Sequence, residues 1–338
     1  MKFAPSIVVS ACTLAFLCAC GGGSNDSLAH PIGPEGLHIS AGNQMAITRA
    51  TVAGGLSVAQ VQTATDAGGS GVQPTSVAVR ARSLASLLQR ALAAGVKPRM
   101  QVASVSAHPA AATSDTEACG VSGSLTTTFD DRDGNGQLSA GDVLTVAFDQ
   151  CRDSATSLLN GSAVLTLSSV PTTRSIVASA DFQDVADTEG ALTSTVDGTL
   201  TVSEMDSDTG SDTSLMVGDG GVTITLASTN YNDVLQLSNG FVVTVDQVFA
   251  LDRTSITLDG ILQAQSVTGG APTLQTLSPL VQLGTDAYPS SGVVKASGLG
   301  SALLMTVLSA SQVQLQLDAD GDGTYEATTT VAWTDLVP

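Results

Sequence analysis

Two short stretches concentrate carboxylates and amides at alternate positions. The first, "DDRDGNGQLSAGD", runs from Asp130 to Asp142 between "GSLTTTF" and "VLTVAF", segments that alternate polar and apolar residues as half-buried strands do. The second, "DADGDGTYE", runs from Asp318 to Glu326 between "VQLQL" and "TTTVAW". Oxygen donors gathered at a hairpin tip suit a hard cation such as Ca²⁺, which takes about six to eight oxygens. The competing reading is that Asp, Asn and Gly act there only as turn formers in solvent.

The first stretch resembles the EF-hand loop. Asp131, Asp133, Asn135, Gly136, Ser139 and Asp142 match its positions 1, 3, 5, 6, 9 and 12, and the resemblance implies a further ligand from the backbone carbonyl of Gln137. It departs from that family in closing on Asp142 rather than glutamate and in having strands where the family has helices. The second stretch resembles the D-x-D-x-D-G-x-x-D hairpin loop of integrin-type calcium sites. That resemblance implies Asp318, Asp320, Asp322 and Thr324 as ligands, with Glu326 in place of the last Asp. A third acidic run, "EMDSDTGSD" from Glu204 to Asp212, lacks the spacing and reads as a solvated loop.

Other chemistry finds few residues. The three histidines, His30, His38 and His108, all precede Cys119, so a Ser-His-Asp, Cys-His or histidine-zinc arrangement has nothing to draw on after it. One Trp is available to stack on a sugar, and no glycine loop leads into a Lys and a helix to cradle a phosphate. The expectation is a protein that is not an enzyme. Net charge is −19 and uneven: six basic against five acidic residues lie between Cys20 and Ala118, five against twenty-six from Cys119 to the end. That field opposes nucleic acid and anionic lipid as ligands and suits cations or basic partners.

The chain starts "MKFAPSIVVSACTLAFLCAC", one basic residue before an apolar run from Ile7 to Ala19 that is short for a bilayer core of about 30 Å. Residues 1–19 read as a signal peptide. "LCAC" followed by "GGGSNDS" resembles the bacterial lipobox, with Leu17, Cys18 and Ala19 before Cys20. The resemblance implies acylation of Cys20 and, with Gly21 rather than Asp next to it, a lipid anchor in the outer membrane. "VSAC" ending at Cys12 fits the box too, but would leave a shorter apolar run. The start "ACGGGS" is similar to that of uncharacterised lipoproteins of Gram-negative bacteria, a resemblance that implies an address and no activity.

After Cys20 the cysteines are Cys119 and Cys151, which in an exported chain make one disulfide. They flank the first acidic stretch. The alternation puts Val121, Leu125 and Phe129 on one face with Leu144, Val146 and Phe148, Leu125 standing opposite Val146. Cys119 meets Cys151 in that pairing only if a β-bulge slips the register by one residue.

The elements holding these residues follow from period and punctuation. Residues 20–38 read as a flexible Gly, Pro and Ser tether. Residues 39–118 read as a helical segment and linker, with an ambiguous short helix begun at Ser40 or Asn43 and a clear one over Ser76–Ala94. That second helix has a leucine stripe to lay on a sheet and turns Arg80, Arg82 and Arg90 away. Residues 119–338 read as an acidic antiparallel β domain of short strands. Asn160-Gly161, Asp197-Gly198, Asn239-Gly240 and Asp259-Gly260 are taken as hairpin turns. The expected class is all-β, a meander forming an open curved sheet or a sandwich after one or two N-terminal helices. Aromatics at 3% are too few for the girdles of a transmembrane barrel. The functional expectation is a structural or binding module, anchored to membrane lipid through Cys20, stabilised by Ca²⁺ and a disulfide, and serving an unidentified protein or ligand. The alternative is a carrier or periplasmic chaperone for a hydrophobic ligand held in a half-barrel-like cavity.

Overall fold

The computed structural model describes residues 36–59, 112–172, 175–284 and 286–337. The signal segment, Cys20, most of the tether and the helix read over Ser76–Ala94 lie outside the described residues. One α-helix, α1 (Gln44–Ala59), two single-turn 3-10 helices (Phe249–Leu251 and Trp333–Asp335) and fifteen strands make up the regular structure among them. The strands are β1 (Thr113–Ala118), β2 (Ser122–Asp130), β3 (Val143–Arg152), β4 (Ser157–Thr172), β5 (Ser175–Glu189), β6 (Leu192–Asp206), β7 (Gly210–Ala227) and β8 (Asn232–Leu237). They continue with β9 (Val242–Val248), β10 (Arg253–Ala264), β11 (Thr273–Leu283), β12 (Ser291–Gly298), β13 (Ser301–Ser309), β14 (Gln312–Asp318) and β15 (Ala327–Ala332). All belong to one antiparallel sheet in meander order, with β1 and β15 at its edges. The all-β meander is therefore found as one continuous sheet, not a sandwich. β1 occupies a stretch read from sequence as linker.

Alternation makes these strands. β5 buries Ile176, Ala178, Ala180 and Phe182 and turns the residues between them outward, and β14 does the same with Val313, Leu315 and Leu317. The buried side chains of the sheet, α1 and the C-terminal Trp333 and Leu336 form one core.

The strands are longer than their sequence punctuation suggests. Asn160-Gly161, Asp197-Gly198 and Asp259-Gly260 lie inside β4, β6 and β10, not at hairpin tips. Asn239-Gly240 separates β8 from β9, yet both pair antiparallel with β7 and with β10, so the chain runs on in the same direction. Each dipeptide marks a slip of register. Slips fall at Ser122/Ser124, Phe148/Cys151, Asn160/Ser162, Phe182/Val185, Gly198/Leu200 and Ile256/Gly260, on neighbouring strands. They line up into a single transverse row of bulges from β2 to β10. A glycine-type bulge places one residue at positive φ and an Asn-Gly hairpin turn places two there, so the same dipeptide serves both. Gly198 shows why glycine is required: φ is +122°, and a Cβ there would overlap the carbonyl oxygen of Gly221 on β7.

The first hairpin is shifted too. Leu125 stands opposite Phe148 and Phe129 opposite Leu144, two residues from the expected pairing but with the same side chains facing inward. Cys119 stands in the turn before β2 and not opposite Cys151; the one-residue slip present between Ser122 and Ser124 moves the register away from that pairing. It reverses the alternation there, so Val121 is 60% exposed instead of sharing the inner face.

α1 begins after Asn43, whose Oδ1 accepts the N–H of Ser40 at 2.8 Å. It is buried almost all round: Ile47, Ala50, Val52, Ala53 and Val58 are in the core, and Thr48 and Thr51 donate their hydroxyls to the carbonyls of Gln44 and Ile47 at 2.8 Å. Arg49 is exposed and its Nε donates to the Asp335 carbonyl at 2.8 Å. The helix lies against β8, β9 and β10, and a Cβ on Gly55 would sit 2.9 Å from Cδ2 of Leu258. None of the described helices is long and apolar enough to cross a membrane.

The row of bulges can be tested by substitution. Gly198→Ala should destabilise the fold by roughly 2 to 4 kcal/mol through strain and overlap, read as a lower midpoint in urea. Gly220→Ala, at φ +93° with nothing within 4 Å of the added Cβ, carries strain alone and should cost less.

Candidate metal centres

The two acidic loops join β2 to β3, one strand in from the β1 edge, and β14 to β15, the last hairpin at the opposite end of the strand order. Within each, side chains are aimed by the backbone they wrap. Asp131 accepts from Gly134 N at 2.8 Å and Gly136 N at 2.7 Å; Asp318 accepts from Gly321 N at 2.7 Å and Gly323 N at 3.1 Å. Asp133 accepts from Asn135 N at 3.0 Å, as Asp320 does from Asp322 N at 3.2 Å. Asn135 takes Gln137 N at 2.6 Å, as Asp322 takes Thr324 N at 2.7 Å. The loops thus match residue for residue through their first seven positions.

They close differently on the same atom. Asp142 Oδ1 accepts the N–H of Arg132 at 3.1 Å, and Glu326 Oε2 accepts that of Ala319 at 2.8 Å; both donors follow the first aspartate directly. The longer glutamate reaches from the ninth position to where Asp142 reaches from the twelfth. Ser139 spans the first loop, its hydroxyl 2.9 Å from Asp133 Oδ2 and 3.2 Å from Asp142 Oδ2. Gln137 and Thr324 are exposed residues bonded through their own N–H groups.

Neighbouring strands hold both loops in place. Gly141 N donates to Leu167 O and Leu167 N to Asp142 O, each at 2.8 Å, which pins the first loop to β4. Leu138 packs against the core beneath it. Gly321 sits so close to Gly300, in the turn between β12 and β13, that a Cβ would lie 2.8 Å from its carbonyl carbon. These anchors, like Arg132 and Ala319, have no acidic signature, and the sequence did not single them out.

Each acidic loop carries a group of residues that could hold a metal ion. In each group, Asp131, Asp133 and Asp142 or Asp318, Asp320, Asp322 and Glu326, every residue offers a carboxylate oxygen within 4.8 Å of the others. Asp142 is fully buried, Asp131 8% and Asp318 5% exposed. Two like charges at such a distance repel by about 3 to 4 kcal/mol at an effective dielectric of about 20, and a divalent ion between them turns that repulsion into attraction. Backbone N–H groups use one lone pair on most of these oxygens and leave others for a ligand. The Asn135 N–H and then the Ser139 hydroxyl hold the exposed Asp133 carboxyl below the usual range. Its charge therefore persists above the ordinary carboxylate pKa and is lost only as pH falls through the lowered one.

Other acids are arranged differently. Asp233, buried in β8, accepts from Tyr231 Oη at 3.1 Å, Val234 N at 2.9 Å, Ser266 N at 3.0 Å and Ser266 Oγ at 2.5 Å, a closed structural knot. Burial first and then Asp233 push the Tyr231 phenol well above its usual range. The run Glu204 to Asp212 is not a loop throughout: Glu204 is a buried residue of β6, Asp212 belongs to β7, and only the tip between the strands is turn.

Cys119 and Cys151 form the expected disulfide, with Cα atoms 5.4 Å apart. Asp153 lies near them, but the sulfurs are bonded to each other. The bridge ties the turn after β1 to β3. Cys119→Ser with Cys151→Ser should lower stability by about 3 to 4 kcal/mol, given the separation of 32 residues, seen as a lower denaturation midpoint that matches the reduced wild-type chain. The chain matches no family of known proteins, no curated protein and no solved structure.

Proposed function

We propose that this is a non-enzymatic outer-membrane lipoprotein, anchored through acylated Cys20, whose sheet is a structural or binding module stiffened by Ca²⁺ at two loops and by one disulfide. The observation that carries the calcium reading is the shared donor arrangement of two loops of different length. Turn formers need satisfy only their own backbone. Here an acid from the far end of each loop returns to the same second-position N–H and brings its oxygens beside the first aspartate. The outer hairpins of a sheet are where pairing is least supported, so an ion in each tip opposes local opening.

Lipid anchoring is supported by the sequence "LCAC" and the glycine tether, and the absence of histidine after Cys119 supports a role other than catalysis. The acidic field from Cys119 onward favours a basic partner.

Titration with Ca²⁺ should release or absorb heat and raise the melting temperature. At about one hundred times the dissociation constant each site adds about 2.7 kcal/mol. Asp131→Asn with Asp318→Asn should abolish both effects while the far-ultraviolet spectrum stays that of a sheet; an unchanged calcium response in this variant would sink the reading. For the anchor, mass spectrometry of the membrane-extracted protein should find an acylated Cys20 as the first residue, and Cys20→Ser should release the chain from the membrane.

A further inference from the structure

The two edges of the sheet differ. β1 is exposed throughout and carries Asp115 and Glu117. β15, "ATTTVA", has neither charge nor proline, and Thr328, Thr329 and Thr330 are all exposed, so neither face of its centre is covered. Among the described residues β15 pairs only with β14. In an antiparallel ladder alternate residues serve alternate sides, so half of the β15 backbone groups point away from β14 and lack a strand to bond. Natural edges are blunted by charge, proline or cover, and among the described residues β15 has none of these along its six residues.

We propose that β15 pairs with β15 of a second copy of this chain, antiparallel about a two-fold axis through Thr329 and normal to the sheet, joining two sheets into one. Such a contact is self-complementary and sets side chains of the same face opposite each other: Thr329 faces the partner's Thr329, Thr328 the partner's Thr330 and Ala327 the partner's Val331. No acid meets an acid, because Glu326 falls opposite the partner's Ala332. The same operation on β1 about Thr116 would set Asp115 against Glu117 twice, and like charges directly opposite are destabilising. The side chains also suit the pairing. The sheet already joins strands by hydroxyl pairs, Ser114 with Thr128 at 2.8 Å, Thr116 with Thr126 at 3.0 Å, Thr188 with Thr193 at 3.0 Å and Thr244 with Thr257 at 2.6 Å. A threonine edge meeting another threonine edge extends that pattern. Net charge of −19 on each copy opposes approach, so the contact should tighten as salt screens it.

Sedimentation of the full chain over a range of concentrations tests this. A monomer–dimer equilibrium is expected, with a lower dissociation constant in about 0.5 M salt, where the screening length is only a few ångströms, than in dilute buffer. Thr329→Pro and Thr330→Pro are to be compared, since only one of the two N–H groups bonds β14. The variant at the outward N–H should keep the wild-type melting temperature and weaken the dimer at least tenfold. As a second readout, Thr329→Cys should give oxidised dimers on a non-reducing gel, while Ser114→Cys on β1 should not. A chain that stays monomeric at every concentration and salt, or a dimer indifferent to both prolines, overturns the proposal. So does a monomer that instead takes up an extended threonine-rich probe peptide.

Discussion

A strand of fifteen or more residues that twists with its neighbours cannot keep an even ladder and a continuously buried face unless something interrupts the pleat. Here the interruption is collective. From β2 to β10 each strand slips by a residue or more at one transverse row, and the slips meet across neighbouring strands. The row allows β5 to bury even-numbered residues up to Phe182 and odd-numbered ones from Val185, so that both halves face the same core. α1 could not find its apolar bed on β8, β9 and β10 if the two halves of those strands presented opposite faces.

The periphery is held by another means. Toward the edges apolar burial thins: β1 buries nothing and the middle of β15 is open. There the chain relies on covalent and polar closure. The disulfide ties the β1–β2 turn to β3, the first acidic loop is bonded to β4, and the second rests on the β12–β13 turn. The central strands are thus held by packing and the outer ones by local clamps.

Much of this was legible in the residues, for identifiable reasons. Period-two alternation gave the strands and the meander, and the cysteines and alternate acids of both loops sit where their spacing put them. Asn-Gly and Asp-Gly misled because they report a need for positive φ and not what the chain does with it; a bulge and a hairpin use the same residue. The register of β2 on β3 was displaced by two because a side-chain period of two cannot tell one pairing from the next of the same parity. α1 was ambiguous because it has almost no polar face, so it lacks the period by which an amphipathic helix announces itself. The convergence of Asp142 and Glu326 on equivalent N–H groups was invisible because it depends on side-chain reach across loops of different length.

The apolar surface of α1 also bears on the order in which the chain can assemble. Each strand of a meander finds its partner next in sequence, so hairpins can close one after another at short range. The helix is the exception. It precedes every described strand, yet its bed is made by β8, β9 and β10, and its exposed Arg49 bonds a carbonyl 286 residues away. Made before those strands, it must wait for most of the chain to arrive before its apolar sides are covered. An element near the start of the described core is therefore buried only after strands far along the chain have formed.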